Sequence, residues 1–422
     1  MESPAQLTLW PHLAAGWRRR PAAERRAAID AAARTTRAAW RDGIDLRALP
    51  PAALGFHTGP AGLIAQFPPG LPTLQPSPLT PPELRGALAQ WFEDLRTTLS
   101  AGEALRFLRG LLPELGRANL RYQARCIREL ADRQARRRAA GRYAGFLGDA
   151  ALGPPDAVVG RWRAGPGPRP EDLLAAVQQA EQDPAAHRIK SGPTITVTRA
   201  RLWDEDVIIK RYDLPSGWSR WKYWKRPSRA RRAWAAGQLL IQSGLPTPEP
   251  LGYVEVRRGH LPVTSYAVAR FAAGAESGFR WARRSYRNLD APGRDAVRRE
   301  VLALLRALAA QGIYHADTKL TNLLVEERAD GSGRHWQWTD LECVEAGVRL
   351  TRRRLLRNLV QLNGSLRHWV PVEERRAFLA ALARSYPWLA APSVAADIER
   401  RTRQRLAREL DGRTPPDGRP PS

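Results

Sequence analysis

The first part of the chain carries apolar residues at helical spacing. After Thr80-Pro-Pro-Glu83, which supplies an N-cap, early prolines and a capping-box glutamate, apolar residues recur every three or four positions, at Leu84, Leu88, Trp91, Leu95 and Leu99. Composition and spacing predict further helices over about 22–41, 102–112, 115–138 and 171–182. Residues 50–82 are rich in proline and glycine, which indicates an irregular linker. The pattern therefore predicts an all-α N-terminal domain over residues 1–186, with no role assigned to it.

The pattern changes near residue 190. Thr194-Ile-Thr-Val-Thr198 alternates with the period of two that is typical of a strand, and strand-like segments follow near 207–209, 254–256 and 265–271. One helix is predicted among them, over 230–242. From residue 271 the chain is mostly helical, apart from a hairpin predicted at 323–325 and 336–339 around the turn signal Asp330-Gly331.

This order of elements predicts an α+β domain over residues 187–412. Its small β-rich N-lobe covers about 187–270, and its helical C-lobe covers about 271–412, with a hinge at Phe271-Ala-Ala-Gly274. The Pro/Gly-rich tail 413–422 is predicted to be disordered.

The clearest chemical signal is His315-Ala-Asp-Thr-Lys-Leu-Thr-Asn322, followed by Asp340 eighteen residues later. This H-x-D-x-K-x-x-N pattern, with a second aspartate after a strand, has the spacing of the catalytic loop and the metal-binding aspartate of a protein-kinase-like phosphotransferase. Such a reaction needs a carboxylate that orients a hydroxyl, cations near the phosphoryl group and side chains that hold Mg²⁺. Asp317 and Lys319 are therefore candidate catalytic residues, and Asn322 and Asp340 are candidate metal and nucleotide ligands. The α+β domain is accordingly predicted to be bilobal and protein-kinase-like.

The use of lysine supports this interpretation. The chain contains 63 Arg and only 5 Lys, and Lys319 of the motif is one of them. Another, Lys210, ends the apolar segment Asp206-Val-Ile-Ile-Lys210, as does the ATP-pairing lysine of a kinase β-strand. Because lysine and arginine are not interchangeable at a phosphate, the retained lysines indicate sites that need a compact ammonium. Lys210 is therefore a candidate nucleotide-binding residue.

Charge points to partners that carry phosphate. The net charge is +26, which favours an anionic membrane surface, an anionic glycolipid or nucleic acid. The segment Trp218–Arg226 interleaves aromatic and cationic residues, and is either a membrane or sugar contact or a loop packed on the N-lobe. No helix-turn-helix, RNA-binding or zinc motif accompanies the charge, so no specific nucleic-acid partner is predicted.

The compartment follows from two further observations. Cys126 and Cys343 are the only cysteines, which suits a reducing compartment. The N-terminus lacks a secretory signal, and no apolar run approaches the roughly 20 residues that span a bilayer. We therefore expect a cytoplasmic protein, either soluble or peripheral on the inner membrane. The sequence sets no oligomeric state.

From about residue 187 to 365 the sequence resembles the lipopolysaccharide kinase family, bacterial kinases that phosphorylate Kdo or heptose in the lipopolysaccharide core. The resemblance rests on five segments, which are 207–212, 227–234, 244–250, 314–322 and 339–342. It implies ATP with Mg²⁺ or Mn²⁺, a cytoplasmic location and an anionic glycolipid acceptor at the inner membrane. It also implies that Asp317 is the catalytic aspartate and that Lys319 faces the phosphoryl group. Lys210 would contact the ATP phosphates, and Asn322 and Asp340 would hold the metal.

The chain departs from the kinase pattern in two ways. It lacks a glycine-rich G-x-G-x-x-G loop, and the predicted helix 230–242 lacks the glutamate that pairs with the β-strand lysine. Gln238 carries no charge and Glu276 is no obvious replacement, so we expect either that Lys210 pairs elsewhere or that activity is low. Glu342 is either a third carboxylate near the metal or a solvated loop residue. The alternatives are a kinase for another acceptor, protein or small molecule, and a membrane-associated pseudokinase scaffold.

Overall fold

The computed structural model describes residues 8–9, 17, 20–42, 44, 46, 51–59, 62–67, 81–95, 99–148, 155–163, 167–214, 226–328 and 333–410. The chain divides into two compact units, Met1–Arg137 and Arg138–Ser422. The predicted tail 413–422 and nearly all of the Trp218–Arg226 segment lie outside the described residues.

Four helices build most of the first unit. They are α1 (Ala22–Arg41), α2 (Pro81–Leu95), α3 (Ala101–Leu111) and the first part of α4 (Arg117–Leu147). Ile29, Leu88, Trp91 and Phe107 are buried together in its core. The side chain of Ser100 accepts from the backbone of Glu103 and so caps the start of α3, as a capping box requires.

The prediction of an all-α N-terminal region is wrong. A three-stranded antiparallel sheet is formed by β1 (Thr8–Leu9), β2 (Gly55–Gly59) and β3 (Gly62–Gln66). Phe56 and Ala65, which face each other across β2 and β3, are buried. Strands β2 and β3 are only five residues long and each begins with glycine, so the sequence pattern indicated a linker where two residues anchor a sheet to the core.

The second unit contains a six-stranded antiparallel sheet. Its strands are β4 (Val158–Trp162), β5 (His187–Ser191), β6 (Ile195–Leu202), β7 (Glu205–Asp213), β8 (Pro250–Arg258) and β9 (Leu261–Arg270). Their order across the sheet is β4-β8-β9-β7-β6-β5. The strands predicted near 194–198, 207–209, 254–256 and 265–271 are thereby confirmed. The sequence missed β4, which lies where only helix was predicted and pairs with β8.

Helices cover both faces of this sheet. Helix α5 (Pro170–Gln182) buries Leu173 and Val177 with Val207 and Ile209 of β7. On the other face, α6 (Arg229–Gln242) packs Trp234 in a cluster that also includes Tyr212, Tyr253 and the end of α4. Strand β4 and helix α5 precede residue 187, the predicted start of the kinase-like domain, yet both belong to this sheet assembly.

The rest of the second unit is mainly helical. Its helices are α7 (Gly278–Ser285), α8 (Ala291–Ala310), α9 (Arg352–Leu366), α10 (Val372–Ala383) and α11 (Pro392–Leu410). Strand β10 (Glu276–Ser277) pairs with β12 (Leu323–Glu327), which forms the predicted hairpin with β13 (Arg334–Trp338). Strand β11 (Ile313–His315) pairs with β14 (Val344–Ala346). Among the described residues, no helix is both long and apolar enough to span a bilayer.

Candidate active site

The β12–β13 hairpin brings two predicted metal ligands to one end of its ladder. Asn322 immediately precedes β12, and Asp340 follows β13 by two residues. Leu323 pairs with Trp338, and the backbone N–H of Thr339 donates to the carbonyl of Asn322 at 3.0 Å. Antiparallel pairing therefore places the end of the catalytic loop beside the segment that carries Asp340.

The buried ring of His315 links the catalytic loop to the segment that carries Asp340. Its Nδ1 accepts from the backbone N–H of Asp317 at 3.3 Å, so Nε2 carries the proton and donates to the carbonyl of Thr339 at 3.0 Å. The ring is fully buried and stacks on Trp338 with centroids 5.2 Å apart. Burial lowers the pKa of His315, which keeps the ring neutral. His315 therefore holds the backbone of the loop rather than exchanging protons.

Asp317 has both carboxylate oxygens held by neighbouring side chains. Asn322 Nδ2 donates to Oδ2 at 3.0 Å and to the Asp317 carbonyl at 2.8 Å. On Oδ1, Lys319 Nζ lies 3.1 Å away and Gln361 Nε2 donates at 3.2 Å. The two lone pairs of Oδ1 are thus engaged, but Oδ2 has a further lone pair, so Asp317 can still accept the proton of a hydroxyl there.

Gln361 is a site residue that the sequence interpretation missed. It comes from α9 and is buried. Its Oε1 accepts from the backbone N–H of Thr318 at 2.9 Å, and its Nε2 also donates to the carbonyl of Ala316 at 3.0 Å. Ser365, one turn later, accepts from the backbone N–H of Leu320 at 3.1 Å. The only sequence signal is a polar residue on the buried face of a helix, which is too weak to indicate a role.

Lys210 and Asp340 form an ion pair. Lys210 Nζ lies 2.9 Å from Asp340 Oδ1, with the two side chains 20% and 33% exposed. Burial opposes the charged form of both groups, but their mutual attraction outweighs it, so the pKa of Lys210 is raised and that of Asp340 is lowered well below its usual value. The pair therefore remains ionised, with a cation and an anion at the mouth of the site.

Asp340 adopts a left-handed backbone conformation, with φ of 63° and ψ of 50°. Few residues other than glycine adopt this region, although aspartate tolerates it better than most. The conformation starts a short 3₁₀ turn, Leu341–Cys343, and turns the chain sharply after β13. Such local strain is typical of functional sites, where the surrounding packing enforces it.

The donors around Asp340 and Asn322 suit Mg²⁺. Because the Nδ2 of Asn322 is used by Asp317, the amide presents its oxygen to a ligand, and Asp340 adds a carboxylate. Mg²⁺ prefers oxygen donors and is often held by one or two carboxylates with substrate phosphates. In the described part of the chain, no group of three or more His, Cys, Asp or Glu side chains could hold a metal by itself. The residues therefore fit a metal ion shared with a nucleotide.

Helix α6 supplies no partner for Lys210. It contains no acidic residue, and Gln238 Nε2 donates instead to the carbonyl of Pro250 at 3.1 Å. Glu276 pairs with Arg284 at 2.6 Å. The expectation that Lys210 pairs elsewhere is met by Asp340.

Glu342 is a buried carboxylate rather than a solvated loop residue. Its Oε1 accepts from Arg229 Nη2 at 3.0 Å, and its Oε2 accepts from the Tyr212 hydroxyl at 3.3 Å. Burial, and secondly Asp340, raise the pKa of Glu342, while Lys210 and Arg229 act against that shift. Burial also raises the pKa of Tyr212 well above its usual value, so its hydroxyl keeps the proton that it donates.

The missing glycine-rich loop is replaced by a short turn. Between β5 and β6, the backbone N–H of Gly192 donates to the carbonyl of Ile195 at 2.9 Å, which closes the turn Ser191-Gly192-Pro193.

Comparison with known protein families finds a match over the middle of the chain. Residues 219–386 match the model of the lipopolysaccharide kinase (Kdo/WaaP) family. This segment includes Asp317, Lys319, Asn322 and Asp340, whereas Lys210 precedes it. No curated protein matches the chain.

Two solved structures are similar to part of the chain. The structure of WaaP in complex with acyl carrier protein has 15% identity and a TM-score of 0.42, and the match covers 55% of this chain and 92% of that one. The structure of a glucosamine kinase in complex with glucosamine, ADP and inorganic phosphate has 19% identity and a TM-score of 0.31, covering 59% and 78%.

Proposed function

Because residues 219–386 match the model of the lipopolysaccharide kinase (Kdo/WaaP) family, we propose that this chain transfers the γ-phosphoryl group of ATP to a sugar hydroxyl of the lipopolysaccharide core. The acceptor is Kdo, heptose or a sugar of a related envelope glycolipid. In this proposal the six-stranded sheet with α6 acts as the N-lobe of a kinase and the helices after residue 271 as its C-lobe. The protein would meet its acceptor at the inner-membrane surface.

The proposed roles follow from the contacts. Asp317, fixed by Asn322 and Gln361, orients the acceptor hydroxyl and accepts its proton. The hydroxyl oxygen forms a bond to the γ-phosphorus as the bond from that phosphorus to the bridging oxygen breaks, and ADP leaves. Lys319 and Lys210 place positive charge against the phosphate oxygens. Asn322 and Asp340 would hold Mg²⁺, which neutralises phosphate charge when bound.

One observation carries the proposal. Lys210 of β7 and Asp340 after β13 lie 130 residues apart in sequence, yet their side chains meet at 2.9 Å. Phosphoryl transfer in kinases needs a strand lysine and a metal-binding aspartate together at the nucleotide phosphates, and this contact brings the two candidates together. A pseudokinase scaffold would need neither the Lys210–Asp340 pair nor an Asp317 carboxylate held in a fixed orientation.

The acceptor side is supported by a basic surface on α7. Arg280 and Arg283 are exposed there, and neither pairs with a carboxylate in the part of the chain that the structure describes. Helix α7 begins in close contact with the catalytic loop: at its first residue, Gly278, a Cβ would lie only 3.0 Å from the carbonyl oxygen of Leu320. Cations beside the loop favour an acceptor that carries phosphate or carboxylate groups.

The test is transfer of label from γ-labelled ATP. Purified protein is incubated with Mg²⁺ and a lipopolysaccharide extract, beside Asp317→Asn and, as a matched control, exposed Asp204→Asn in the β6–β7 turn. Label should enter the glycolipid with wild type and the control but not with Asp317→Asn. Magnesium-dependent ATP binding without transfer would point to another acceptor. Absence of both transfer and nucleotide binding would overturn the proposal and favour a pseudokinase scaffold.

A further inference from the structure

Glu342 connects three elements that surround Lys210. It lies in the turn after Asp340 and is 7% exposed. One of its oxygens accepts from Arg229, the first residue of α6, and the other from Tyr212 of β7. The guanidinium of Arg229 also lies over the Tyr212 ring, 4.7 Å from its centroid. The three side chains therefore contact one another in a closed set.

This set is placed where it acts on Lys210. Residues 210 and 212 are two apart on β7, so their side chains lie on the same face of the sheet. Through its contacts with Tyr212 and Arg229, Glu342 joins the strand that carries the lysine to the start of α6.

Ordinary protein kinases hold the strand lysine in position differently. They pair the strand lysine with a glutamate from the helix packed on the sheet, and this pair couples the position of that helix to nucleotide binding. Helix α6 occupies that place here, but it carries no acidic residue and presents Arg229 at its first position. The carboxylate comes instead from the segment that follows Asp340.

We propose that Glu342 is the positioning residue for Lys210, with the charges of the usual arrangement reversed. Arg229 links α6 to Glu342, and Glu342 in turn holds Tyr212, two residues from Lys210 on β7, so the lysine faces the nucleotide phosphates without a helix glutamate. This inference rests on the proposed function, since it assumes that Lys210 binds a nucleotide. It also explains how Lys210 is positioned although α6 lacks the glutamate that pairs with this lysine in other kinases.

A purely structural role makes a different prediction. Removing one partner of a buried ion pair leaves the other charge uncompensated and destabilises the fold, so Glu342 as a fold element alone would affect unfolding but not the lysine. As a positioning residue it acts through Lys210. The two roles are separated by asking whether the effect of Glu342 depends on the presence of Lys210.

The experiment measures ATP binding to the full chain by titration calorimetry, with and without Mg²⁺, and needs no acceptor. The variants are Glu342→Gln, Lys210→Met and the double variant, with Tyr212→Phe to remove only the hydroxyl contact. Glu345→Gln is the matched control, because Glu345 also pairs with an arginine, at 2.6 Å from Arg354, but its side chain is 45% exposed. Thermal unfolding of each variant shows that it is folded.

Glu342→Gln should weaken ATP binding about tenfold, equivalent to about 1.4 kcal/mol, and Glu345→Gln should not. In the Lys210→Met background, Glu342→Gln should have no further effect. If the two losses multiply, or if Glu342→Gln lowers only the unfolding temperature, Glu342 has no positioning role. If wild type itself binds no nucleotide, the proposed function is wrong and this role is wrong with it. If wild type binds and Glu342→Gln binds equally well, only the role of Glu342 is overturned.

Discussion

Gln361 Nε2 donates to Asp317 Oδ1 at 3.2 Å, so a residue of α9 sets the orientation of the candidate catalytic carboxylate. The same amide donates to the carbonyl of Ala316, and its oxygen accepts from the N–H of Thr318. Gln361 therefore fixes the backbone on both sides of Asp317 as well as the carboxylate itself. A carboxylate that must meet a hydroxyl within a few tenths of an ångström depends on such support.

Replacing Gln361 should reduce turnover more than nucleotide binding. Gln361→Ala leaves Asp317 without one donor and loosens the loop, so we expect kcat to fall by about ten- to a hundredfold, the cost of a small misplacement of a reacting group. KM for ATP should change little, because Lys210 and Asp340 are untouched. The measurement is a steady-state assay with ATP varied at saturating acceptor.

Exposed Gln404 on α11 provides the control for this variant, and Gln404→Ala should behave as wild type. Gln361→Glu is a sharper probe, since it replaces the amide donor by a carboxylate that repels Asp317. It should be at least as impaired as Gln361→Ala. An unchanged kcat in both Gln361 variants would show that Asp317 does not need this support.

Lysine at position 210 should be irreplaceable by arginine. Lys210 is held 2.9 Å from Asp340 in a site where a planar guanidinium cannot copy the contacts of a compact ammonium. We expect Lys210→Arg to raise KM for ATP about tenfold or more, the effect of losing a hydrogen bond to a charged group. Lys190→Arg on β5, where the side chain is exposed, should have no effect. Equal activity of all three proteins would mean that the scarcity of lysine carries no functional information.

The parts of the site that the sequence predicted are contiguous or defined by strand order. Asp317, Lys319 and Asn322 lie within one loop, and Asp340 follows a hairpin whose pairing was also predicted. The contributions of Gln361 and Arg229 could not be predicted, because they depend on how separate helices pack against the loop. A single buried polar residue in a helix has many structural explanations, so its partner has to be seen in space.

The fold was predictable to a similar extent. Strands with regular alternation, such as Ile195–Leu202, and helices with long periodic patterns, such as Ala22–Arg41, were found with small shifts at their ends. Val158–Trp162 was missed because a five-residue edge strand has too short a pattern, and its pairing with β8 is a tertiary property. The hairpin of β2 and β3 was also missed, because its strands are equally short and contain glycines, which are typical of loops.

The buried His315 should make stability depend on pH. Burial lowers its pKa, outweighing the Thr339 carbonyl, Asp340 and Asp317, which act to raise it, and Lys210 acts to lower it as well. As pH falls below about 6.5, histidine in the unfolded chain binds a proton that the folded chain does not. Stability is therefore full above that pH and is lost below it, by up to about 1.4 kcal/mol per pH unit.

His315→Gln keeps an amide near Nε2 and removes this titration. The free energy of unfolding, measured with urea at pH 7.5 and 5.5, should fall less between the two values in the variant than in wild type. His187→Gln, at an exposed position on β5, should leave the difference unchanged. An identical pH dependence in wild type and His315→Gln would show that folding does not change the pKa of His315.

Close packing at Gly237 should make α6 sensitive to a single methyl group. A Cβ at this position would lie 2.8 Å from two atoms of the Pro250 ring and 3.4 Å from Leu341. Alanine favours a helix by about 1 kcal/mol over glycine, but overpacking of this kind costs roughly 1–3 kcal/mol. Gly237→Ala should therefore destabilise the protein.

Gly141 in α4 is the matched control, because a Cβ there meets nothing within 4 Å. Gly141→Ala should stabilise the protein by about 0.5–1 kcal/mol. Thermal and urea unfolding of the two variants give the comparison directly. Stabilisation by both substitutions would mean that α6 moves away from Pro250 at little cost, and would contradict a rigid packing of α6 beside the Asp340 segment.

The basic surface of α7 should govern affinity for the acceptor and not for ATP. Arg280 and Arg283 are exposed beside the catalytic loop, and Arg283 also lies over the Trp369 ring, 5.8 Å from its centroid. Near an anionic surface each arginine contributes about 1 kcal/mol at moderate salt, so Arg280→Gln with Arg283→Gln should raise KM for the glycolipid roughly thirtyfold. KM for ATP and kcat at saturating acceptor should stay close to wild type.

Total charge is the competing explanation, since the whole chain carries +26. Arg403→Gln with Arg408→Gln on α11 removes the same charge at exposed positions of a different helix. If the α7 arginines bind the acceptor, only their loss should raise KM and flatten its dependence on salt, because fewer ions are displaced on binding. If both double variants raise KM equally, the positive field of the protein as a whole attracts the glycolipid, and α7 has no special part in it.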